Sequence, residues 1–381
     1  MSINMNYQIC KTCIMDTSDP NIVFDENGVC DYCKNYKEMI LPEWQYGVGR
    51  DEELKKIVDK IKKEGEGKDF DCILGLSGGL DSAYLAHVVV KKLGLRPLLF
   101  HVDVGWNTEK SVSNIEKIVD GLNMNLYTEV VNYEEMKDLQ RSFFKSQIPD
   151  QDYPQDIAYI SMLYKFARKY KIKTILNGGN FSTECCREPE EWGGYLGVDK
   201  WLVSDIHSKF GKITLKTFPL VDILTYKFFY KYIYGIASVY ILNYVPYSRE
   251  LAEKTLKEEY GCEEFQHKHH ESRFTRFYED YWLPRKFGFE KRRAHFSSLI
   301  MTSQMKREDA LERISKPELT ELLLNQEFEY VANKLDFTVE EFRDLFNGEN
   351  KTYKSYRNKR NLIFKGARIM RLLGLEKRLF R

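Results

Sequence analysis

The sequence predicts an α/β fold: a parallel sheet flanked by helices, with a small four-cysteine unit ahead of it and a mainly helical region behind it. Three observations predict this. From residue 71 onward, short apolar runs of buried-strand length alternate with helical segments, the rhythm of successive strand–helix–strand units. Four of the eight cysteines fall within the first 33 residues. From about residue 222 the strand-like runs give way to helical, aromatic-rich sequence. The domains expected are therefore 1–36, 37–225 and 226–381.

Taken in order, residues 1–36 carry the cysteines and little apolar content. Residues 37–68 are charged and helical in pattern, and end in the flexible Gly65-Glu66-Gly67-Lys68. Residues 71–76 read as a buried strand, 77–82 as a turn, and 83–93 as a helix stopped by Gly94. Strands follow at 97–102, 126–131 and 173–176, with helices at 108–122, 133–145 and 157–170 between them. Ligands of such sheets bind beyond the carboxyl ends of the strands. Past 222, an uncharged run at 232–248 is 17 residues long and includes Asn243 and Pro246. A membrane-spanning helix needs about 20 mostly apolar residues, so the run reads as buried core. The stripe of Tyr226, Phe228, Phe229, Tyr230, Tyr232 and Tyr234 reads as core or interface.

Composition narrows the function. The 381 residues are 43% apolar, enough for a sizeable core, and 14% aromatic, which argues against disorder. Basic and acidic side chains number 58 and 57, so the chain is not a globally basic nucleic-acid binder. The tail 351–381 is the exception. It holds five Lys and six Arg against the single acid Glu376, on a body that is otherwise acidic, which makes it a candidate docking surface for an acidic partner. The first twenty residues hold no apolar signal segment, so a cytoplasmic protein is expected.

The first chemical motif is Cys10-x2-Cys13-x16-Cys30-x2-Cys33. Two such knuckles wrap a tetrahedral ion, with Asp25-Glu26-Asn27-Gly28 as the hairpin turn between them. Four protein ligands close the site, so Zn²⁺ here is expected to be structural. The second motif is Ser77-Gly78-Gly79-Leu80-Asp81-Ser82, between a strand and a helix. Its glycines let backbone N–H groups approach a phosphate, and the helix turns its positive end to the same point. Ser77 and Ser82 offer hydroxyls, and Asp81 can hold Mg²⁺. No Lys follows the glycines, so this is not a Walker A loop.

Strand plus SGGLDS resembles the PP-loop of the ATP pyrophosphatases, and implies a PP-loop sheet of the adenine nucleotide alpha hydrolase-like kind. In that group the loop grips the pyrophosphate part of ATP, and AMP passes to a substrate oxygen. Ser77, Gly78, Gly79, Asp81 and Ser82 are thereby implied as ATP contacts, with Ser77 and Asp81 catalytic. The resemblance extends to His101 and Asp103 at the end of the second strand, on the nucleoside side. It also extends to Gly178, Gly179 and Asn180 after a later strand, on the α-phosphate side. With the cysteine unit and the stretches 177–184 and 267–298, the chain resembles the N-acetyl sugar amidotransferase family, the WbpG/PseA-like branch. That family converts a sugar acetamido group into an acetamidino group, in surface polysaccharide or pseudaminic and legionaminic acid biosynthesis.

This resemblance implies Glu184, Lys216, His270, Glu271, Arg273, Arg292 and Arg293 as substrate contacts. His267, His269 and His270 lack the i, i+4 pairing of a helical metal site. A glutaminase with an N-terminal nucleophile needs a terminal Cys, and this chain starts Met1-Ser2. Cys185 and Cys186 sit on no tight glycine elbow. The chain thus lacks its own ammonia source, and the family implies a HisH-like glutaminase and a HisF-like ammonia-channel protein as partners. Two other readings stand beside this one. A PP-loop tRNA thiolase would use the same adenylation and need a catalytic thiol at Cys185 or Cys186. A non-catalytic zinc-bearing scaffold would bind nucleotide or RNA, against which the intact Ser-Gly-Gly-x-Asp-Ser argues.

Overall fold

The computed structural model describes residues 7–44, 49–193, 198–265 and 268–372. Five parallel strands form one sheet in the order β3-β2-β1-β4-β5: β1 (Cys72–Gly75), β2 (Pro97–Asp103), β3 (Leu126–Val130), β4 (Thr174–Leu176) and β5 (Ala237–Val239). Leu74 pairs with Leu99 of β2 on one side and with Leu176 of β4 on the other. The predicted strands thus appear within a residue or two of their expected bounds. β5 is a strand that the helical reading past residue 222 does not contain.

Alternation along the strands sends side chains to two cores. Ile73, Leu98, Phe100 and Ile175 face one layer, built from α4 (Tyr133–Ser146), α5 (Tyr153–Lys169) and α6 (Lys200–Phe210). Cys72, Leu74, Leu99 and Leu176 face the other, built from α1 (Asp51–Gly65), α2 (Leu80–His87), α3 (Glu109–Leu122) and α7 (Arg249–Tyr260). Burial on both faces is why the inner strands β1, β2 and β4 read as apolar runs, whereas the edge strands β3 and β5 are partly exposed. The helices are locally specified: Thr108 caps α3 by accepting from the Ser111 N–H, and Asn132 caps α4 by accepting from the Glu135 N–H.

The C-terminal region has its own aromatic core. α8 (Arg273–Phe277) runs on as a wide helical segment, Tyr278–Phe287, and packs with α11 (Glu321–Lys334) and α12 (Val339–Asn347). Phe144 of the sheet domain enters this cluster, its ring 4.6 Å from Trp282 and 4.9 Å from Phe342, both edge-on. Buried aromatics of this kind are worth about 3–5 kcal/mol on truncation to alanine, so the two regions are firmly joined. Between them run α9 (Arg292–Met301) and α10 (Arg307–Ile314), and the last described helix is α13 (Arg360–Leu372). The start of α13 is tied to the body: Lys359, just before it, pairs with Asp222 at 2.6 Å, and Arg360, its first residue, pairs with Glu190. Part of the basic tail is therefore structural. Among the described residues no helix is long and apolar enough to cross a membrane.

Candidate active site

The cysteine unit comes together as its spacing predicts. The four Sγ atoms are buried and lie within 4.8 Å of one another, with Cys10–Cys33 at 3.8 Å and Cys13–Cys30 at 3.6 Å. Four sulfurs at about 2.3 Å from one ion would be about 3.8 Å apart. Cys10 Sγ also accepts from the backbone N–H groups of Thr12, Cys13 and Cys30, and Cys13 Sγ from that of Met15. These dipoles favour thiolates, so the donor set fits zinc. Gly28 (φ +76°) makes the expected hairpin turn. The unit is not free-standing: Arg307 donates to the carbonyls of Cys10 and Cys13, and Arg293 pairs with Asp16 at 3.0 Å.

The second site follows from topology. β1 leads to β2 on one side, while β4 lies on its other side, so the chain diverges between β1 and β4. That divergence opens the ligand crevice of such sheets. The loop 77–82 leaves β1 and the turn 177–180 leaves β4, and together they line a cavity of about 420 Å³. Gly78 has φ +83°, and a Cβ there would lie 2.7 Å from the Ser111 carbonyl oxygen. The loop is stiffened internally, the Ser77 and Ser82 hydroxyls being 3.0 Å apart and Gly79 N–H donating to Ser77 Oγ at 3.2 Å. Gly79 starts α2 without a side-chain cap, which leaves the helix N–H groups for an anion. Gly78→Ala carries both backbone strain and a clash, and is expected to weaken ATP binding at least about tenfold. Calorimetric titration giving wild-type affinity would remove this loop from the site.

Charge is concentrated around Asp81. Its Oδ1 accepts from the Tyr247 hydroxyl and, at 3.3 Å, from Asn180 Nδ2. Lys268 bonds Glu184 and stands 4.0 Å from Asp81. Burial raises the Asp81 pKa despite Lys268. Burial opposes the charge on Glu184 too, but Lys268 prevails and holds that carboxyl below its usual value. Burial also raises Glu271, whose Oε1 lies against Gly79, and raises Asp156, at the edge of the same cavity, to about 6. Among the described residues no His, Cys or carboxylate cluster besides the four cysteines converges as a complete metal site. Magnesium normally binds through one or two carboxylates plus substrate phosphates, which Asp81 and Glu271 suit.

The other sequence-predicted residues divide. A second cavity of about 440 Å³ adjoins the first and shares Glu184, Lys268, His269 and His295 as a common wall. Glu184, His270 and Arg292 line it, His270 paired with Asp280 at 2.9 Å and Arg292 with Glu290 and Glu318. His101 and Asp103 line neither cavity. His101 Nδ1 bonds the Leu76 carbonyl at 2.7 Å while Nε2 meets Asn107, so it props the residue before Ser77. Asp103 accepts from Gly105 N–H at 2.7 Å and shapes the next turn.

Three basic residues expected at the substrate line neither cavity. Arg273 pairs with Glu327 at 2.9 Å and stacks on Tyr330; Arg293 braces the cysteine unit; Lys216 lies on the segment whose backbone N–H groups Glu135 collects. Sequence reading assigned no role to Lys268, His295 or Tyr247, and considered His269 only as part of the 267–271 cluster. His267 lies outside the described residues.

Residues 271–371 match the family described as LPS biosynthesis protein WbpG-like, C-terminal domain. Residues 71–184 match the phosphoadenosine phosphosulfate reductase domain. No curated protein matches the chain. Among solved structures, NH3-dependent NAD synthetase from Campylobacter jejuni is 17% identical over 35% of this chain and 58% of that one, with a TM-score of 0.28. The chain thus spans just over half the length of that relative. NMN synthetase from Francisella tularensis is 15% identical over 71% of this chain and 98% of that one, also with a TM-score of 0.28. The glycine loop at the sheet's divergence point thus lies inside the segment that matches the phosphoadenosine phosphosulfate reductase domain, and the match to the WbpG-like C-terminal domain follows it in the chain.

Proposed function

We propose that the chain is an ATP-dependent amidotransferase that converts a sugar acetamido group to an acetamidino group. The observation that carries this reading is the pair of cavities meeting at one wall: a phosphate-type loop on one side, and on the other a chamber with acidic and basic side chains in its wall. An amide carbonyl is a poor electrophile toward ammonia. Transfer of AMP to its oxygen gives an O-adenylated imidate with AMP as leaving group, which ammonia displaces. The amide of Gly78 and the start of α2 hold the pyrophosphate part of ATP, where charge develops. Tyr247 and Asn180 fix the Asp81 carboxylate toward the same point. Bound Mg²⁺ supplies further charge stabilisation at the phosphates. Lys268, between Asp81 and Glu184, holds a positive charge where the α-phosphate faces the second chamber. Glu188 and Glu279, both paired with Lys291, and Asp280, paired with His270, line this chamber and retain acceptor lone pairs for sugar hydroxyls. The sugar is nucleotide-linked or a free nonulosonic acid, of the kind found in surface polysaccharides.

The sulfur-transfer reading loses its nucleophile. Cys185 and Cys186 are both buried, and burial pushes the Cys185 thiol up to about 12 and Cys186 well above its usual value. A reactive cysteine needs the opposite environment.

Ammonia supply tests the function directly. The purified chain is expected to form amidine with ammonium and not with glutamine, and a HisH-like and HisF-like pair should confer glutamine use. With ammonium the rate should rise with pH as more free ammonia forms, and a channel partner should flatten that rise. Mass spectrometry of the product follows both. Glutamine consumption by the isolated chain would defeat this account.

A further inference from the structure

Two imidazoles stand at the seam of the two cavities without a hydrogen-bonding partner among the described residues. Four of the six described histidines are held: His87 by Tyr260, His101 by Leu76 and Asn107, His207 by Asp138, and His270 by Asp280. His269 and His295 differ. Each lines both chambers, so their ring nitrogens are offered to whatever occupies them. His295 is set on α9, a helix packed against the 181–184 turn through Ser298 and Thr302, which bond Cys186 N–H and the Ser182 carbonyl. His269 has φ +64°, one of six described non-glycine residues in the left-handed region, a conformation that histidine adopts more readily than most side chains. A metal role does not fit, because no His cluster converges among the described residues.

We propose that His295, with His269 beside it, carries the proton transfer of the amidine-forming step. This rests on the acetamido-to-acetamidino reading above. The nitrogen lone pair of ammonia forms a bond to the imidate carbon. The carbon–oxygen bond to AMP breaks, and its electron pair leaves on the phosphate oxygen. The attacking nitrogen then carries one proton too many, while the sugar-bound nitrogen carries one too few. An imidazole between them takes the proton from the first and gives it to the second, so the amidinium and AMP form with no net proton gained or lost. The carrier must start neutral to accept. Burial, Lys268, Arg249 and His269 push His295 well below its ordinary value, and burial with Lys268 lowers His269. Both imidazoles therefore present a free lone pair at neutral pH.

The test separates the two half-reactions in the full-length chain. Acetamido-sugar-dependent ATP–pyrophosphate exchange reads adenylation, with a panel of UDP-linked and free acetamido sugars as probes. Ammonium-dependent amidine formation, read by mass spectrometry, covers both steps. His295→Ala should lower amidine formation about 100-fold or more, while exchange falls only a few-fold. Added imidazole should restore part of the amidine rate, which a merely structural role would not allow. Amidine formation within a few-fold of wild type overturns the proposal, as does an equal fall in both readouts without rescue by imidazole. If wild type shows no exchange with any acetamido sugar, the acetamido reading itself fails and the proton role falls with it.

Discussion

Asp81→Asn is expected to lower ATP-dependent pyrophosphate release about 10²–10³-fold while leaving the fold intact. The carboxylate is the one acid on the phosphate loop, and removing a group aimed at developing charge costs about that much. Asparagine keeps the volume and can still accept from Tyr247 and Asn180. It cannot balance Lys268, which is left to Glu184 alone. Stability should move the other way. Burial raises the folded-state pKa of Asp81, so the folded chain holds that proton more tightly than the unfolded chain does. The resulting stability is full below the unfolded pKa and is lost as pH rises through the folded one. Where Asp81 is ionised, the wild type bears a partly desolvated charge that the variant lacks. Its melting temperature should therefore match or exceed that of wild type, with the gap closing on acidification. Pyrophosphate release at the wild-type rate would take Asp81 out of the mechanism.

The three inner strands were legible in the sequence because a sheet covered on both faces needs apolar runs, which 71–76, 97–102 and 173–176 supply, while the edge strand at 126–131 was legible from its place between two helical segments. β5 was not legible. It is three residues long and half-exposed at the sheet edge, inside an uncharged aromatic run with no alternation to betray it. It pairs there because β4 leaves a free edge, and Asn177 N–H then reaches the Val239 carbonyl at 2.9 Å. That pairing is a tertiary decision with no local signature.

The site divides along the same line. Gly78, Gly79, Asp81 and the four cysteines were legible because their chemistry is local: a left-handed turn, a helix start, a double knuckle. Arg273 and Arg293 line neither cavity because a cation serves a buried acid as readily as a substrate, and the acids involved, Glu327 and Asp16, are distant in sequence; Lys216 is fixed instead through its backbone N–H, which donates to Glu135. Lys268 and His295 were missed, and His269 was read only within its cluster, for the converse reason. Adjacent residues of the 267–271 stretch serve different ends: His270 turns to Asp280, Glu271 to the phosphate loop, and His269 to the seam. Only the backbone path, with its left-handed turn at 269, sorts them.

Removing zinc, by chelation or by Cys30→Ser, is expected to unfold the N-terminal unit and to loosen α9 with it. Residues 7–44 have little apolar core besides the four cysteines, and a structural zinc site of this type is worth about 10–16 kcal/mol of apparent binding energy at neutral pH. The unit reaches well beyond itself. Ile14 N–H donates to Ser297 and its carbonyl accepts from Arg293, both on α9, while Ala294 of α9 packs against the cysteine cluster. α9 also carries Arg292 and His295 into the second chamber. Loss of metal should therefore raise the KM for the sugar and speed hydrogen exchange across α9. ATP affinity should hold much better, because the phosphate loop rests on the sheet core and makes no contact with the cysteine cluster. Elemental analysis should find one zinc per chain. Less than half an equivalent, with all four thiols open to titration, would remove the metal from this account. A chain without zinc that kept its sugar KM would detach the cysteine unit from the acceptor chamber.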